Sequence, residues 1–128
     1  MQTAERINDE HRKYNRYRLE APVIFWWRDG GHTLHKGVGL TRVLSTHGAF
    51  VLTATPPPVK ANIDLKVFLP RIGAGVPMRF EGQGKVVRVE GVKHPVARAG
   101  FAVAAKAFAL RKGPIMALRN QATLKFVA

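Results

Sequence analysis

The densest group of side chains that could do chemistry lies near the start of the chain. Four Lys or Arg residues and two tyrosines occur within eight positions, His11-Arg12-Lys13-Tyr14-Asn15-Arg16-Tyr17-Arg18. Arginine presents a planar fork of donors that fits a phosphate or the Hoogsteen edge of guanine, and its plane can stack on a base. The run is therefore a candidate anion clamp, although a solvated basic leader ahead of a folded domain would have the same composition.

The charge of the whole chain favours an anionic partner. It has 21 Lys+Arg against 8 Asp+Glu, which gives a formal net charge of +13. All of the acidic residues lie at or before Glu90, and the stretch from Gly91 to Ala128 carries seven Lys or Arg and no acid. Charge of this kind attracts nucleotides, nucleic acids and acidic surfaces alike, so it does not by itself identify the partner.

Length and composition exclude several classes of protein. A chain of 128 residues with 46% hydrophobic residues fits one globular domain. It has no cysteine, which excludes a disulfide scaffold, cysteine-ligated zinc and a thiol nucleophile. Neither a leader-like apolar run nor a stretch of about 20 apolar residues occurs. We therefore expect a cytoplasmic protein without membrane insertion.

Residue patterns typical of enzymes are weak in this chain. His32 and His35 are three apart, but no carboxylate motif accompanies them, so no metal site is predicted. Ser45 and His47 could act as nucleophile and base, but no orienting acid is near them in sequence. The glycine-bearing segment 82–85 ends in a lysine but lacks the Walker spacing. We expect a protein that is not an enzyme.

Hydrophobic alternation and turn signals predict the elements that must position these side chains. Six strands are expected: Val23–Trp27, Leu34–Ser45, Ala49–Thr53, Asn62–Leu69, Arg79–Val89 and Ala99–Val103. Asp29-Gly30-Gly31 predicts a hairpin turn, and a bulge is expected near Gly82 and Gly84. Short strands separated by turns predict an antiparallel sandwich or a small closed barrel.

The two ends of the chain are predicted to lie outside the barrel. Residues 1–20 are expected to form a flexible basic arm, residues 21–108 the barrel, and residues 109–128 a C-terminal helix or tail. The alanine-rich segment from Ala104 to Lys112 could turn helical before Gly113-Pro114. Ile115 to Phe126 is expected to form a second short helix or a packed tail.

Two motifs in this order resemble the PilZ domain family of bacterial cyclic di-GMP receptors. Arg12 and Arg16 form an Arg-x-x-x-Arg motif ahead of the first predicted strand. About thirty residues later, the turn between the second and third predicted strands carries Val43-Leu44-Ser45-Thr46-His47-Gly48. The family shows Arg-x-x-x-Arg, then a barrel with Asp/Asn-x-Ser-x-x-Gly. Lys85–Val89 looks like its fifth-strand valine–arginine run, and Gly100–Val103 like its closing strand. The resemblance covers residues 10–108 and implies an all-β fold, a six-stranded antiparallel barrel with a short C-terminal helix.

The resemblance also implies a ligand and the residues that hold it. Cyclic di-GMP would be gripped by Arg12 and Arg16, with Ser45 and the backbone at Gly48 on the other side. A second group of candidate ligand-binding residues comprises Arg18, Val43, His47 and Arg88. The implied role is that of a non-catalytic signalling effector, without a metal, that could act on a protein target.

Val43 departs from the family, which has Asp or Asn at this position. Valine cannot accept a hydrogen bond from guanine, and a donor left without a partner costs roughly 1–3 kcal/mol, or about 10- to 100-fold in affinity. One alternative is therefore a degenerate module that binds a protein partner without nucleotide. Another is a basic small-barrel nucleic-acid binder. Scarce aromatics argue against a nucleic-acid partner, since four of them are expected in the core: Phe25, Phe50, Phe68 and Phe101.

Overall fold

The computed structural model describes residues 5–7, 16–70, 75, 77–105 and 107–112. These residues form nine β-strands: β1 (Glu5–Ile7), β2 (Arg16–Arg18), β3 (Pro22–Arg28), β4 (Leu34–Ser45), β5 (Gly48–Thr53), β6 (Asn62–Phe68), β7 (Met78–Gly91), β8 (Ala99–Ala104) and β9 (Ala109–Lys112). In the part of the chain that the structure describes, no residue belongs to a helix long and apolar enough to cross a bilayer.

Six of these strands close into an antiparallel barrel. Their order is β4-β3-β6-β7-β8-β5, and β5 returns to pair with β4. Each corresponds to one of the six strands predicted from the sequence, and the barrel confirms the predicted fold class. Closure pairs both edges of every barrel strand, which removes the exposed edges that favour aggregation.

The inside of the barrel is filled by side chains that alternate along the strands. In β6 the inward positions are Ile63, Leu65 and Val67, all buried, while Asp64 between them is exposed. Across the core, Phe25 of β3 meets Phe101 of β8 edge to face, with ring centroids 5.0 Å apart. Burial of such side chains contributes roughly 1.5–3 kcal/mol each, so this core supplies the rigid frame for the outer face.

The long strands β4 and β7 each carry an added short strand, on the edge of a segment whose other edge pairs within the barrel. β2 pairs with the end of β4, and β9 pairs with the start of β7. Between β2 and β3 the chain is held by Thr41, whose buried hydroxyl accepts the Ala21 N–H at 3.0 Å and donates to the Leu19 carbonyl. This buried, fully paired threonine fixes β2 against β4.

The structure shows a strand where Ala104 to Lys112 was predicted to turn helical, so that prediction is wrong. β8 runs through Ala104, and Ala109–Lys112 pairs with β7 as β9. Between the two strands, the Phe108 side chain is buried and its N–H donates to the Thr46 carbonyl at 2.7 Å. Burial of this phenylalanine outweighs the helix preference of alanine. Residues 113–128, with the predicted second helix or tail, lie outside the described residues.

The bulge in β7 is not where the glycines predicted it. Gly82 and Gly84 pair regularly with Leu65 and Ile63, and the register shifts between Val86 and Arg88 instead. The glycines serve close packing, because a side chain at Gly82 would meet the ring of Phe108 at 2.8 Å. The strands β1, β2 and β9 were not predicted from the sequence; β2 and β9 pair with strands far away in sequence, and β1 pairs with β2. The boundaries of the arm, barrel and tail stay a prediction.

Candidate functional site

The predicted arginine cluster reaches the barrel through β2. Register places Tyr17 opposite Leu44 and Arg18 opposite Val43 on β4. Arg18 is exposed and Arg16 half-buried. These arginines therefore lie beside the strand that leads directly into the Ser45–Gly48 turn. Arg12, the first residue of the predicted motif, lies outside the described residues.

One row of paired positions runs across the outer face of the sheet. Its members come from β2, β4, β5, β8 and β7 in turn: Arg18, Val43, Phe50, Ala102 and Arg88. Directly opposed residues in antiparallel strands share a face. Four strand spacings of roughly 4.8 Å put the two ends of the row about 19 Å apart along the sheet. The structure thus brings Arg18 and Val43 together and puts Arg88 on the same face at the far end.

A β-bulge in β4 turns the candidate residues outward. The register shifts between Thr41 and Val43, so Thr41 points into the core while Val43 shares the outer face with Phe50. Without the bulge, simple alternation from Thr41 would point Val43 and Ser45 inward. Arg42 already points outward by alternation from Thr41, and the bulge leaves its side chain immediately beside Val43 on the same face. Arg42 was not a predicted site residue.

A second bulge does the same for Arg88. Val86 fills the core, and the register shift between Val86 and Arg88 lets Arg88 face outward opposite Ala102. Two bulges on different strands therefore direct Val43 and Arg88 to one patch, and bulges commonly redirect side chains near binding sites. Since each bulge depends on the partner strand, alternation read along a single strand gives no warning of either.

Within the Ser-x-x-Gly turn, Ser45 is held by local hydrogen bonds. Its hydroxyl accepts the His47 N–H at 3.2 Å and donates to the Gly48 carbonyl at 3.3 Å. His47 Nδ1 lies 2.8 Å from Thr46 Oγ1, at the exposed tip of the turn. Gly48 is required by close approach, because a Cβ there would lie 2.9 Å from the Val103 carbonyl oxygen. Turn chemistry thus accounts for both motif residues and leaves them at the edge of the outer row.

Phe50, predicted in the barrel core, lies instead on the outer face, so that prediction is wrong. Its side chain is only 3% exposed and forms a separate cluster with Leu52 and Ala97. The ring packs directly on Gly100, where a Cβ would lie 2.4 Å from the ring carbon Cε1. Phe50 is therefore an aromatic floor at the centre of the candidate face, seated on a strand position that only glycine fits.

Two arginines cover this floor, and one glutamate holds them. The Cζ atom of Arg42 lies 4.0 Å from the Phe50 ring centroid, and that of Arg88 lies 5.7 Å from it. Glu90 accepts a hydrogen bond from Arg88 Nε at 2.9 Å and lies 3.8 Å from an Arg42 terminal nitrogen. We call these four residues the Phe50 cluster. It brings two cations and one anion next to the predicted arginines of β2. Of its four residues, only Arg88 was predicted from the sequence as a ligand-binding residue.

The opposite outer face carries a different cluster of charges. Glu81 accepts hydrogen bonds or ion pairs from Arg79 Nε at 2.9 Å and Arg111 Nε at 2.7 Å. Partial burial raises the pKa of Glu81, but the hydrogen bond and charge of Arg79, with the charges of Lys66 and Arg111, hold that pKa below its ordinary value. We call Glu81, Arg79 and Arg111 the Glu81 cluster. It borders an open depression of about 740 Å³ beside Trp26.

The histidine pair considered from the sequence serves the β3–β4 hairpin. His35 Nε2 donates to Asp29 at 2.8 Å and its ring stacks on Trp27 with centroids 4.2 Å apart. The hydrogen bond from His35, helped by the Thr33 N–H, holds the pKa of Asp29 below its ordinary value. Within the described ranges, no three His, Asp or Glu side chains are grouped so that they could hold a metal ion.

Comparisons with known proteins bear on the fold. No protein-family model matches the chain, and no curated protein sequence matches it significantly. Among solved structures it is similar to the Bacillus subtilis inhibitor of motility (MotI/DgrA), with a TM-score of 0.60 and 14% sequence identity over 98% of this chain. The chain spans 63% of that protein's length. At this identity the likeness shows the fold alone, and the chain has a PilZ-like closed antiparallel barrel.

Proposed function

We propose that this domain binds cyclic di-GMP and acts as a small, non-catalytic signalling effector. The observation that carries the proposal is the pairing of β2 with the end of β4. It sets Arg16 and Arg18 beside Val43 and one turn from Ser45, although the two segments are more than two dozen residues apart in sequence. The described arginine of the first PilZ-like motif, Arg16, thus lies close to the second motif.

The chemistry of this surface suits the ligand. Cyclic di-GMP carries two phosphates and two guanines, and arginine can pair with the former and stack on or hydrogen-bond the latter. Arg18 and Arg88 mark the ends of a row about 19 Å long by strand spacing, which is long enough for a dinucleotide. The described arginines of this face outnumber Glu90, the glutamate that pairs with two of them, so the face attracts a dianion; these arginines are Arg16, Arg18, Arg42 and Arg88.

Val43 weakens the proposed site without removing it. The side chain is half-buried against Phe50 and offers no acceptor to a guanine. Restoring a carboxylate there should recover a hydrogen bond worth roughly 1–3 kcal/mol. The structural neighbour is named as an inhibitor of motility, and a regulatory role of that kind is what we propose for this barrel.

Calorimetric titration with cyclic di-GMP tests the proposal. The wild-type domain should bind saturably in the range up to tens of micromolar, Arg16→Ala should lose most of that affinity, and Val43→Asp should bind about 10-fold more tightly. Arg111→Ala, which removes the same charge from the opposite face, is the matched control and should bind as the wild type does. Absence of saturable binding in wild type and Val43→Asp alike would overturn the proposal.

A degenerate module that binds a protein partner is the second candidate. The observation that favours it is the apolar character of the motif position itself, where Val43 packs against the cluster of Phe50, Leu52 and Ala97. This candidate predicts that Val43→Asp does not restore nucleotide binding, because a single acceptor would not rebuild a site that had lost its other contacts. The same titration therefore separates the two candidates.

A further inference from the structure

We propose that Arg42 is a base-stacking residue, and that the Phe50 cluster is a purine subsite which the resemblance to the PilZ family does not assign. This inference rests on the proposed function, because the purine in question is a guanine of the cyclic dinucleotide. It names a contact that neither the arginine motif nor the Ser45 turn supplies.

The first support is the fixed position of the Arg42 guanidinium. At 4.0 Å from the Phe50 centroid it lies well within the distance at which a cation is attracted to a ring face. Phe50 cannot move away, since its ring is buried and seated on Gly100. The guanidinium is thereby held over the ring before any ligand arrives.

The second support is that Arg42 remains accessible. Its side chain is 46% exposed even though the ring below it is buried. A guanidinium is planar, and a plane that rests on an aromatic ring leaves its opposite side for another flat group. A purine placed there would form the third layer of a stack above Phe50 and Arg42. Because both lower layers are already ordered, little conformational freedom is lost on binding.

The third support is location. Arg42 directly precedes Val43 at the β4 bulge, and Arg18 faces Val43 from the neighbouring strand. Because the guanidinium lies over Phe50 of β5, a base on Arg42 would lie about two strand spacings, roughly 10 Å, from the arginine strand β2. The phosphates of the same ligand could then reach Arg16 and Arg18. Arg88, whose Cζ is 5.7 Å from the ring centroid and whose Nε is engaged by Glu90, is less suited to stacking.

Arg42→Lys separates stacking from charge, because lysine keeps the charge but has no planar group. In titrations with cyclic di-GMP we expect this variant to bind about 10-fold more weakly than wild type, in line with the cost of removing a base stack. The matched control is Arg111→Lys, which makes the same change at an arginine that is also paired with a glutamate on the opposite face. It should leave affinity unchanged.

Phe50→Leu removes the aromatic floor while keeping an apolar side chain, and should weaken binding to a similar extent. Thermal melts would show whether this variant still folds; Arg42 is exposed, so Arg42→Lys keeps the inference testable if it does not. If wild type binds and Arg16→Ala does not, but Arg42→Lys binds as tightly as wild type, the stacking role is wrong and the proposed function stands. If the wild type and Val43→Asp both fail to bind cyclic di-GMP, the proposed function and this inference fall together.

Discussion

The two outer faces of the barrel carry the same arrangement of residue types, a glutamate between two arginines, with different geometry. Glu81 is 23% exposed and lies within 2.9 Å of a nitrogen from each arginine partner. Glu90 is 39% exposed, with Arg88 at 2.9 Å but Arg42 only at 3.8 Å. In the Glu81 cluster both arginines are directed at the carboxylate, whereas in the Phe50 cluster only Arg88 is, and Arg42 lies over an aromatic ring.

The difference separates a structural use of charge from the binding use that we propose. Arg79 and Arg111 are register partners on β7 and β9, so the Glu81 cluster ties the added strand to the barrel. The Phe50 cluster ties Arg42 of β4 to Glu90 of β7 across the intervening strands, and it lies beside β2 and the Ser45 turn. Each cluster has two arginines and one glutamate, so the difference between the clusters comes from the neighbouring side chains and not from the charges.

A substitution at Gly100, on which the Phe50 ring packs, should have the largest effect on stability and on binding. In Gly100→Ala the new Cβ would lie 2.4 Å from the Phe50 ring and 3.1 Å from the Val51 carbonyl, so the ring must move. We expect a loss of roughly 1–3 kcal/mol in the free energy of unfolding, as for other overpacked sites, together with weaker cyclic di-GMP binding. Urea denaturation and titration would measure the two.

Gly91→Ala is the control for that experiment, because the nearest atom to a Cβ there is 3.9 Å away. It should change neither stability nor binding appreciably. Equal effects of the two substitutions would mean that Phe50 is not held by Gly100, and the contrast between the faces would lose its structural basis.

The sequence predicted the barrel better than the face that it presents. Alternation, as in Ile63, Leu65 and Val67, and turn residues are local signals, and all six barrel strands were predicted from signals of this kind. The outward aim of Val43 and Arg88 depends on bulges, and a bulge is a property of two paired strands. The prediction of Phe50 in the core is wrong for a related reason. An aromatic residue in a strand has the same sequence signature whether it is buried inside the barrel or in a cluster on the outer face.

Exchanging one arginine in each cluster for alanine should have opposite consequences. Arg88→Ala should weaken cyclic di-GMP binding about 5-fold, because one cation of the face is lost, and should hardly alter stability. Arg111→Ala should leave binding unchanged and lower stability by about 0.5–1 kcal/mol, since it loosens a partly exposed ion pair that holds β9. If Arg111→Ala impaired binding as much as Arg88→Ala, net charge rather than the Phe50 cluster would control affinity.

Neutralising the glutamate of each cluster in turn tests whether the two clusters differ in their effect on binding. Glu90→Gln should tighten cyclic di-GMP binding about 3-fold, because a carboxylate about 7 Å from a phosphate in water opposes it by roughly 0.6 kcal/mol. The gain should shrink as salt is added, since salt screens the repulsion. Glu81→Gln lies on the other face and should bind as the wild type does. Weaker binding by Glu90→Gln would indicate that Glu90 orients Arg42 instead of competing with the ligand.

The smallest effect concerns the pH dependence of stability at Glu81. Its folded-state pKa is below the ordinary value, so the ionised carboxylate stabilises the folded domain above the unfolded pKa of about 4.3. At pH 7 the free energy of unfolding of the wild type should then exceed that of Glu81→Gln by about 0.5 kcal/mol, a small value because solvent screens a partly exposed ion pair.

As the pH falls below about 4.3 and through the folded pKa, the carboxylate is protonated and this advantage should disappear. Urea denaturation at pH 7, 4 and 3 would follow the difference between the two proteins, and a difference that stayed constant would mean that Glu81 acts through packing instead of charge. In that case the charge of Glu81 would not be what stabilises the pairing of β9 with β7. The contrast with the Phe50 cluster would rest on which side chains lie under the arginines, and the charges themselves would be secondary on both faces.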